Sequence, residues 1–267
     1  MQNILAGDTN SYHTYTLDDA LEGIAKAGFK YVELSAVRGW TEHVPLEATP
    51  ADIAAVKARL AHWGLTASSL SGHSDLTTAA GLVDGKKAVD LCPQLGITIM
   101  NTAIGGHYSE NEDKAAFMGH IHELADYAAE RGVLISLEVH GDIMATGQIS
   151  IPLMEEIGRP NVGINYDTAN CVFYGGVEAC DDIRPVVPFL MHMHLKDKRG
   201  GARVWDFPAI GEGHVNFWGL FKILAQEGYA APFSVEIEFS GLPWPPVAEV
   251  HRAMQVSYAT LSELGLR

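Results

Sequence analysis

Short apolar, β-rich runs alternate with longer segments of helical period along this chain, and the alternation occurs about eight times in 267 residues. Each strand-helix unit spans about 33 residues, too long for a hairpin and suited to a crossover through a helix between parallel strands. Ile4 to Gly7 opens the series. Thr16 caps a helix through Leu17, Leu21 and Ile24 that Gly28 stops, and Tyr31 to Ala36 is the second strand. Thr49-Pro50 opens a helix with Ile53, Val56 and Leu60 on one face, ended by Gly64. Leu65 to Ser71 and Ile97 to Ile104 are strands three and four, separated by a weaker helix from Asp75 to Leu95 that Gly81, Gly85 and Pro93 interrupt. Asn111 to Arg131 carries Phe117, Ile121, Leu124 and Ala128 at three- and four-residue spacing, and Val133 to His140 follows as strand five. Ile149 to Ile157 is a short helix and Val162 to Asp167 strand six. Asp182 to Val187 covers the next crossover poorly. Strand seven spans residues 190 to 197, Phe217 to Gln226 is helical, Pro232 to Glu238 is strand eight, and Glu249 to Leu264 is the closing helix.

Eight such units close into a single (β/α)8 TIM barrel, here one domain over residues 1 to 267 with no low-complexity seam. An open doubly wound sheet is the alternative, but its G-x-G-x-x-G fingerprint is missing after the first strand. The formal charge of -15 repels a phosphate backbone, so nucleic acid is not an expected partner. No apolar run approaches the roughly 20 residues that span a bilayer, and the N-terminus lacks a signal-peptide pattern, so the expected compartment is cytoplasmic, away from membranes. Cys92, Cys171 and Cys180 are odd in number and lack a CxxC spacing, which suggests free thiols.

Strand seven, Leu-Met-His-Met-His-Leu-Lys-Asp, alternates two chemistries with a period of two: Met191, Met193 and Leu195 face one way, His192, His194 and Lys196 the other. In a barrel that polar stripe points inward. Active sites of these barrels lie at the C-terminal mouth. Four polar residues end otherwise apolar strands there: Glu138 in ISLEVHG, Asp167 in GINYDTAN, His194 in HMHLKD and Glu236 in FSVEIE. Three carboxylates converging with few buried cations carry a cost that a divalent metal removes. Three oxygen ligands plus one nitrogen, with no thiolate, favour a hard or borderline ion such as Mn²⁺, Mg²⁺, Co²⁺ or Zn²⁺, of which Mn²⁺ is the preferred assignment.

With these residues in view, the chain resembles the xylose isomerase-like barrel superfamily, which includes sugar-phosphate isomerases and epimerases, ketose 3-epimerases, inosose dehydratase and AP endonucleases. The resemblance spans nearly the whole chain and rests on Glu138, the Asp167-x-x-Asn170 run, His194-Leu195-Lys196-Asp197, and the Gly211-Glu212-Gly213 turn before Glu236-Ile237-Glu238. It implies that Glu138, Asp167, His194 and Glu236 bind one divalent metal and that Glu138 and Glu236 also act as acid and base. The three-metal endonucleases carry extra histidines, and Asn170 and Trp205-Asp206-Phe207-Pro208 stand in their places. Ketose 3-epimerases carry an Arg shortly after the strand-seven His and further polar residues after the strand-five Glu, where this chain has Lys196 and Met144. The expected activity is isomerisation or epimerisation of a small ketose or keto-polyol through an enediolate. The alternatives are a metal-dependent dehydratase or lyase and a non-catalytic sugar-binding barrel.

His73 and His107 leave strand ends after glycines and resemble substrate-binding positions, as do Asn170 and Trp205; an exposed loop is the plainer reading of the two histidines. His140, two residues beyond Glu138, faces the same way and fits a substrate hydrogen bond or a proton relay. Lys196 is a candidate to neutralise an oxyanion or pair with Glu236, against snorkelling to solvent. Glu33 ends strand two as a secondary, orienting residue, and His192 reads as a hydrogen-bonded interior residue. Trp40, Trp205, Phe207 and Trp218 lie in or beside presumed mouth loops, where aromatic faces suit sugar C–H surfaces. The Gly-rich Lys198 to Gly213 loop lacks the ending of a phosphate cradle. Barrels of this resemblance often pack as dimers or tetramers, so homo-oligomer formation is left open.

Overall fold

A computed structural model describes residues 3–105, 111–141 and 143–266. Its eight strands are β1 (Leu5–Asp8), β2 (Tyr31–Ser35), β3 (Thr66–Ser71), β4 (Ile99–Thr102), β5 (Leu134–Glu138), β6 (Val162–Asp167), β7 (Leu190–Leu195) and β8 (Phe233–Val235). All pair in parallel and in chain order, and β8 returns to β1 to close the barrel. The helices between them are α1 (Leu17–Ala27), α2 (Pro50–Trp63), α3 (Ala79–Leu95), α4 (Asn111–Ala129), α5 (Gly147–Ile157), α6 (Asn170–Gly175), α7 (Ala179–Asp182), α8 (Phe217–Gln226) and α9 (Val247–Glu263). No helix among the described residues is long and apolar enough to cross a membrane.

Local chemistry places these elements. Thr16 and Thr49 each accept from the backbone N–H three residues on, while Asp19 and Asp52 reach back to the cap N–H, so both helices start on complete capping boxes. Gly28, Gly64, Gly96 and Gly158 close α1, α2, α3 and α5 in the left-handed conformation. The expected interruption of the third helix does not occur. Gly81 tolerates the approach of the Asp75 carbonyl, and Pro93 falls in the last turn. The weakly covered crossover after β6 is filled by α6, α7 and a 3₁₀ turn, Arg184–Phe189.

Six of the eight strands end one to three residues from the sequence reading, and β3 and β6 end where it places them. β1 runs on to Asp8, β5 stops at Glu138 before His140, and β8 stops at Val235 so that Glu236 begins the following loop. Parallel register sets Asp8 beside Glu33 and Asp167 beside His194. The carboxylates of neighbouring strands are thereby delivered to one height at the C-terminal end of the barrel.

Candidate active site and metal centre

Glu138, Asp167, His194 and Glu236, carried at or just beyond the ends of β5, β6, β7 and β8, bring one ligand atom each to within 4.8 Å of one another, and all four are buried. His192 and His194 share the inward face of β7 and differ in depth. His194 reaches the cluster, while His192 lies one pleat deeper with Asn165 Oδ1 at 3.0 Å, Ser234 Oγ at 3.1 Å and Ser69 Oγ at 3.3 Å. Burial lowers His192 to about 4, so it is neutral at pH 7.

Each member of the cluster is held by a neighbour. His194 Nε2 lies 3.2 Å from Glu33 Oε1, and Glu33 is itself anchored by Ser69 Oγ at 2.9 Å and Asn101 Nδ2 at 2.8 Å. With the proton on Nε2 donated to Glu33, the Nδ1 lone pair faces Glu236 Oε2 at 3.5 Å and Glu138 Oε2 at 3.7 Å. Asp167 Oδ1 accepts from the N–H groups of Ala169 and Asn170, both at 2.8 Å. Glu138 accepts from His73 Nε2 and Asn170 Nδ2, each at 2.7 Å. Glu236 accepts from Asn10 Nδ2 and from Lys196 Nζ, each at 2.8 Å.

The electrostatics carry an imbalance. Burial raises Asp167 to about 6 and Glu238 to about 7, and burial followed by Glu33 and Glu236 pushes Asp8 well above the usual carboxylate range. Burial opposes a charged His194, but Glu33 and Glu236 outweigh it and pull its pKa upward. The pull is uneven: Asp167, Asp8 and Glu238 are raised, while the His73 hydrogen bond and the Lys196 charge hold Glu138 and Glu236 below their usual range. Two ligand atoms of the cluster, Asp167 Oδ2 and His194 Nδ1, are also buried without a hydrogen bond. Asp167 Oδ2 has only the Lys196 ion pair at 2.9 Å, and a buried three-carboxylate, one-imidazole set of this kind fits a divalent cation.

The other expected site residues surround a cleft of about 410 Å³ above this cluster. His73, His140, Asn170, Lys196 and Trp205 all line it, as do Trp40 and Tyr174. His140 Nε2 is 2.8 Å from the Tyr174 hydroxyl. His107 lies outside the described residues. Lys196 does not snorkel: it is buried, with Glu236 Oε2 and Glu238 Oε2 at 2.8 Å and Asp167 Oδ2 at 2.9 Å. Phe207 is buried beneath it, 4.9 Å from Nζ to the ring centre. Trp218 is outside the cleft lining, on α8 with Lys222 above its ring. The Gly-rich loop after β7 is pinned by buried Asp197, which accepts from the N–H groups of Gly211, Gly213 and Val215. A Cβ at Gly213 would sit 2.2 Å from Asp197 Oδ1, so that turn requires glycine.

Three residues close to the centre were missed or ranked low. Asp8 falls one residue past the expected end of strand one. Glu33 is the direct partner of His194. Asn10 follows β1 in a 3₁₀ turn, capped by Asp8, and its bond to Glu236 spans 226 positions of sequence. Asp8 ends an apolar strand as Glu138 does, and the same rule finds it once β1 is extended by one residue; Glu33 stands two residues before the end of β2, on its inward face. Nothing local marks Asn10.

The chain has relatives among known proteins. It is 28% identical over 236 residues to a ketose 3-epimerase of Arthrobacter globiformis, covering 80% of this chain and 78% of that one. An L-ribulose 3-epimerase of Methylomonas sp. is 27% identical over 239 residues, covering 81% of this chain and 77% of that one. Among solved structures, D-allulose 3-epimerase from Methylomonas sp. superposes with a TM-score of 0.76 at 23% identity over 98% of both chains, a likeness of fold. The profile of the Xylose isomerase-like TIM barrel family matches residues 21–259, and with the closed eight-stranded barrel and the buried cluster at its mouth, the chain belongs to that family.

Proposed function

We propose that the protein is a divalent-metal-dependent 3-epimerase of a free ketose. The observation that carries this reading is the arrangement of Glu138 and Glu236, two buried carboxylates reaching one cluster from β5 and from the start of the loop after β8, in a chain similar to a ketose 3-epimerase, an L-ribulose 3-epimerase and L-ribulose-5-phosphate 3-epimerases.

Epimerisation beside a carbonyl needs one group to remove a proton from a carbon and another to return one to the opposite face. Glu138 and Glu236 supply two such groups. Each has one oxygen tied to a fixed amide, Asn170 or Asn10, which orients the carboxylate and leaves its second oxygen near the cluster. A bound Mn²⁺ or similar ion, held by Glu138, Asp167, His194 and Glu236, would lower the cost of the enediolate as a Lewis acid. His73 and His140 would bind or relay protons to substrate hydroxyls, Asn170 and Lys196 would complete the polar wall, and Trp40 and Trp205 would cover C–H faces.

Charge in the cleft supports an unphosphorylated substrate. Arg38 and Lys196 are the cations among its described lining residues; Arg38 pairs with Asp84 and Glu47, and Lys196 with three carboxylates. A dianionic phosphate would meet no uncommitted cation among them and several carboxylates.

The test is incubation with Mn²⁺ and L-ribulose or D-fructose in D₂O. The expected product has unchanged composition, inverted configuration at carbon 3 and one deuterium there, and L-ribulose 5-phosphate reacts far more slowly than L-ribulose. Loss of water, or no deuterium uptake by any ketose, sinks the reading.

A further inference from the structure

Lys196 presents a problem that the proposed reaction does not solve. Its ammonium, 2% exposed, has three N–H donors and three carboxylate oxygens around it, Asp167 Oδ2, Glu236 Oε2 and Glu238 Oε2. Two of those residues belong to the four-residue metal cluster. Nζ donates well-directed hydrogen bonds to the two glutamates, whereas Asp167 Oδ2 is within ion-pair distance but carries no hydrogen bond. Phe207 closes the far side of the ammonium. A lysine so placed is poorly free to follow a substrate.

We propose that Lys196 is an internal counter-ion of the metal centre: it shares Asp167 and Glu236 with the divalent cation, holds the carboxylates together when the cation is away, and limits how tightly the cation binds. The geometry gives it somewhere to go. Glu238, which is outside the cluster, accepts one of its three contacts and can retain the ammonium when Asp167 and Glu236 turn their free lone pairs to the ion. A buried group of carboxylates without any cation is strongly destabilising. The lysine removes that penalty from the metal-free protein, at the expense of a like charge beside the incoming ion. The outcome is a folded metal-free state and an exchangeable ion.

This inference rests on the reading of Glu138, Asp167, His194 and Glu236 as a metal centre, and the experiment separates the two. Mn²⁺ is titrated into the chelator-treated full chain by calorimetry, with the melting temperature followed in parallel. Lys196→Met keeps the stem against Phe207 and removes the charge. It should bind Mn²⁺ about tenfold tighter or better than wild type, melt lower without metal, and gain more from Mn²⁺. Glu238→Gln, which leaves the ammonium to Asp167 and Glu236, should bind about three- to tenfold weaker. Arg38→Gln removes an equal charge from the cleft wall but touches none of these oxygens, and should stay within about twofold.

Equal or weaker binding by Lys196→Met, or an Arg38→Gln effect as large as that of Lys196→Met, overturns the shared-oxygen proposal while leaving the metal centre standing. A wild-type chain that takes up no Mn²⁺ overturns both. Where Lys196→Met does not fold without metal, Glu238→Gln decides alone, and wild-type affinity in that variant overturns the proposal.

Discussion

Glu138 and Glu236 sit at nearly the same depth in the cleft, 4% and 6% exposed, yet the protein grips them by different means. Glu138 is held by an imidazole and an amide, His73 and Asn170, and the imidazole is a quarter exposed, which gives that carboxylate a path to solvent. Glu236 is held by an amide and an ammonium, Asn10 and Lys196, both buried. Burial favours the neutral acid on each side. At Glu138 the His73 hydrogen bond is the largest opposing influence, at Glu236 the Lys196 charge, and both carboxylates end below their usual range. Two residues of one type in one cluster are therefore held in the charged form by different partners.

The largest effect should come from neutralising either carboxylate. Glu138→Gln and Glu236→Gln should each reduce kcat by about 10²–10⁴ at saturating Mn²⁺. The sharper observable is solvent exchange. If the two groups serve opposite faces, one variant should still exchange deuterium into the carbon-3 position of one epimer and the other variant into that of its mirror configuration. Both variants exchanging the same epimer would collapse the two-sided arrangement.

Glu33 tests the floor common to both sides. Through His194 Nε2 it fixes which ring nitrogen faces the cluster, so Glu33→Gln should weaken Mn²⁺ binding by about 10–100-fold while the fold persists. Unchanged affinity would mean that barrel packing alone orients the imidazole.

The barrel itself was legible because its signal is repeated: eight apolar runs, capped helices and glycine stops each restate the same architecture. The four-residue cluster was legible because parity along a strand tells which residues face inward. Strand ends were not, since a one-residue shift costs little in local pattern, and Asp8 was lost that way. The supports were least legible. Asn10 to Glu236, Lys196 to Glu238 and His73 to Glu138 are separated by 226, 42 and 65 positions, and only barrel closure or register brings them together. Sequence marked Lys196 as inward-facing and a candidate partner of Glu236, but not of Asp167 and Glu238.

The amide supports offer an intermediate test. Asn170→Ala and Asn10→Ala each remove one orienting donor, and kcat should fall about tenfold in both. The exchange pattern should tell them apart, with Asn170→Ala behaving as a mild form of Glu138→Gln and Asn10→Ala as a mild form of Glu236→Gln. Identical patterns would mean that the amides serve packing instead of one carboxylate each.

The smallest effect probes how far the Glu236 side extends. Asn10 Oδ1 accepts from Trp40 Nε1 at 3.0 Å and Thr41 Oγ1 at 2.7 Å, and these two donors fix the amide so that Nδ2 is the group facing Glu236. Trp40 in turn stacks on His13, with ring centres 3.8 Å apart and planes 13° from parallel. Trp40→Phe keeps an aromatic ring for that stack and for the cleft wall but deletes the indole donor. Thr41 still holds the amide, so the loss should be that of one hydrogen bond in a shared set, about two- to tenfold in kcat with little change in KM. The corresponding substitution across the cleft, Trp205→Phe, removes no donor to either glutamate and should leave kcat within about twofold. A larger fall for Trp205→Phe than for Trp40→Phe would show that the rim acts through substrate contact alone, and would cut the link between the aromatic wall and Glu236.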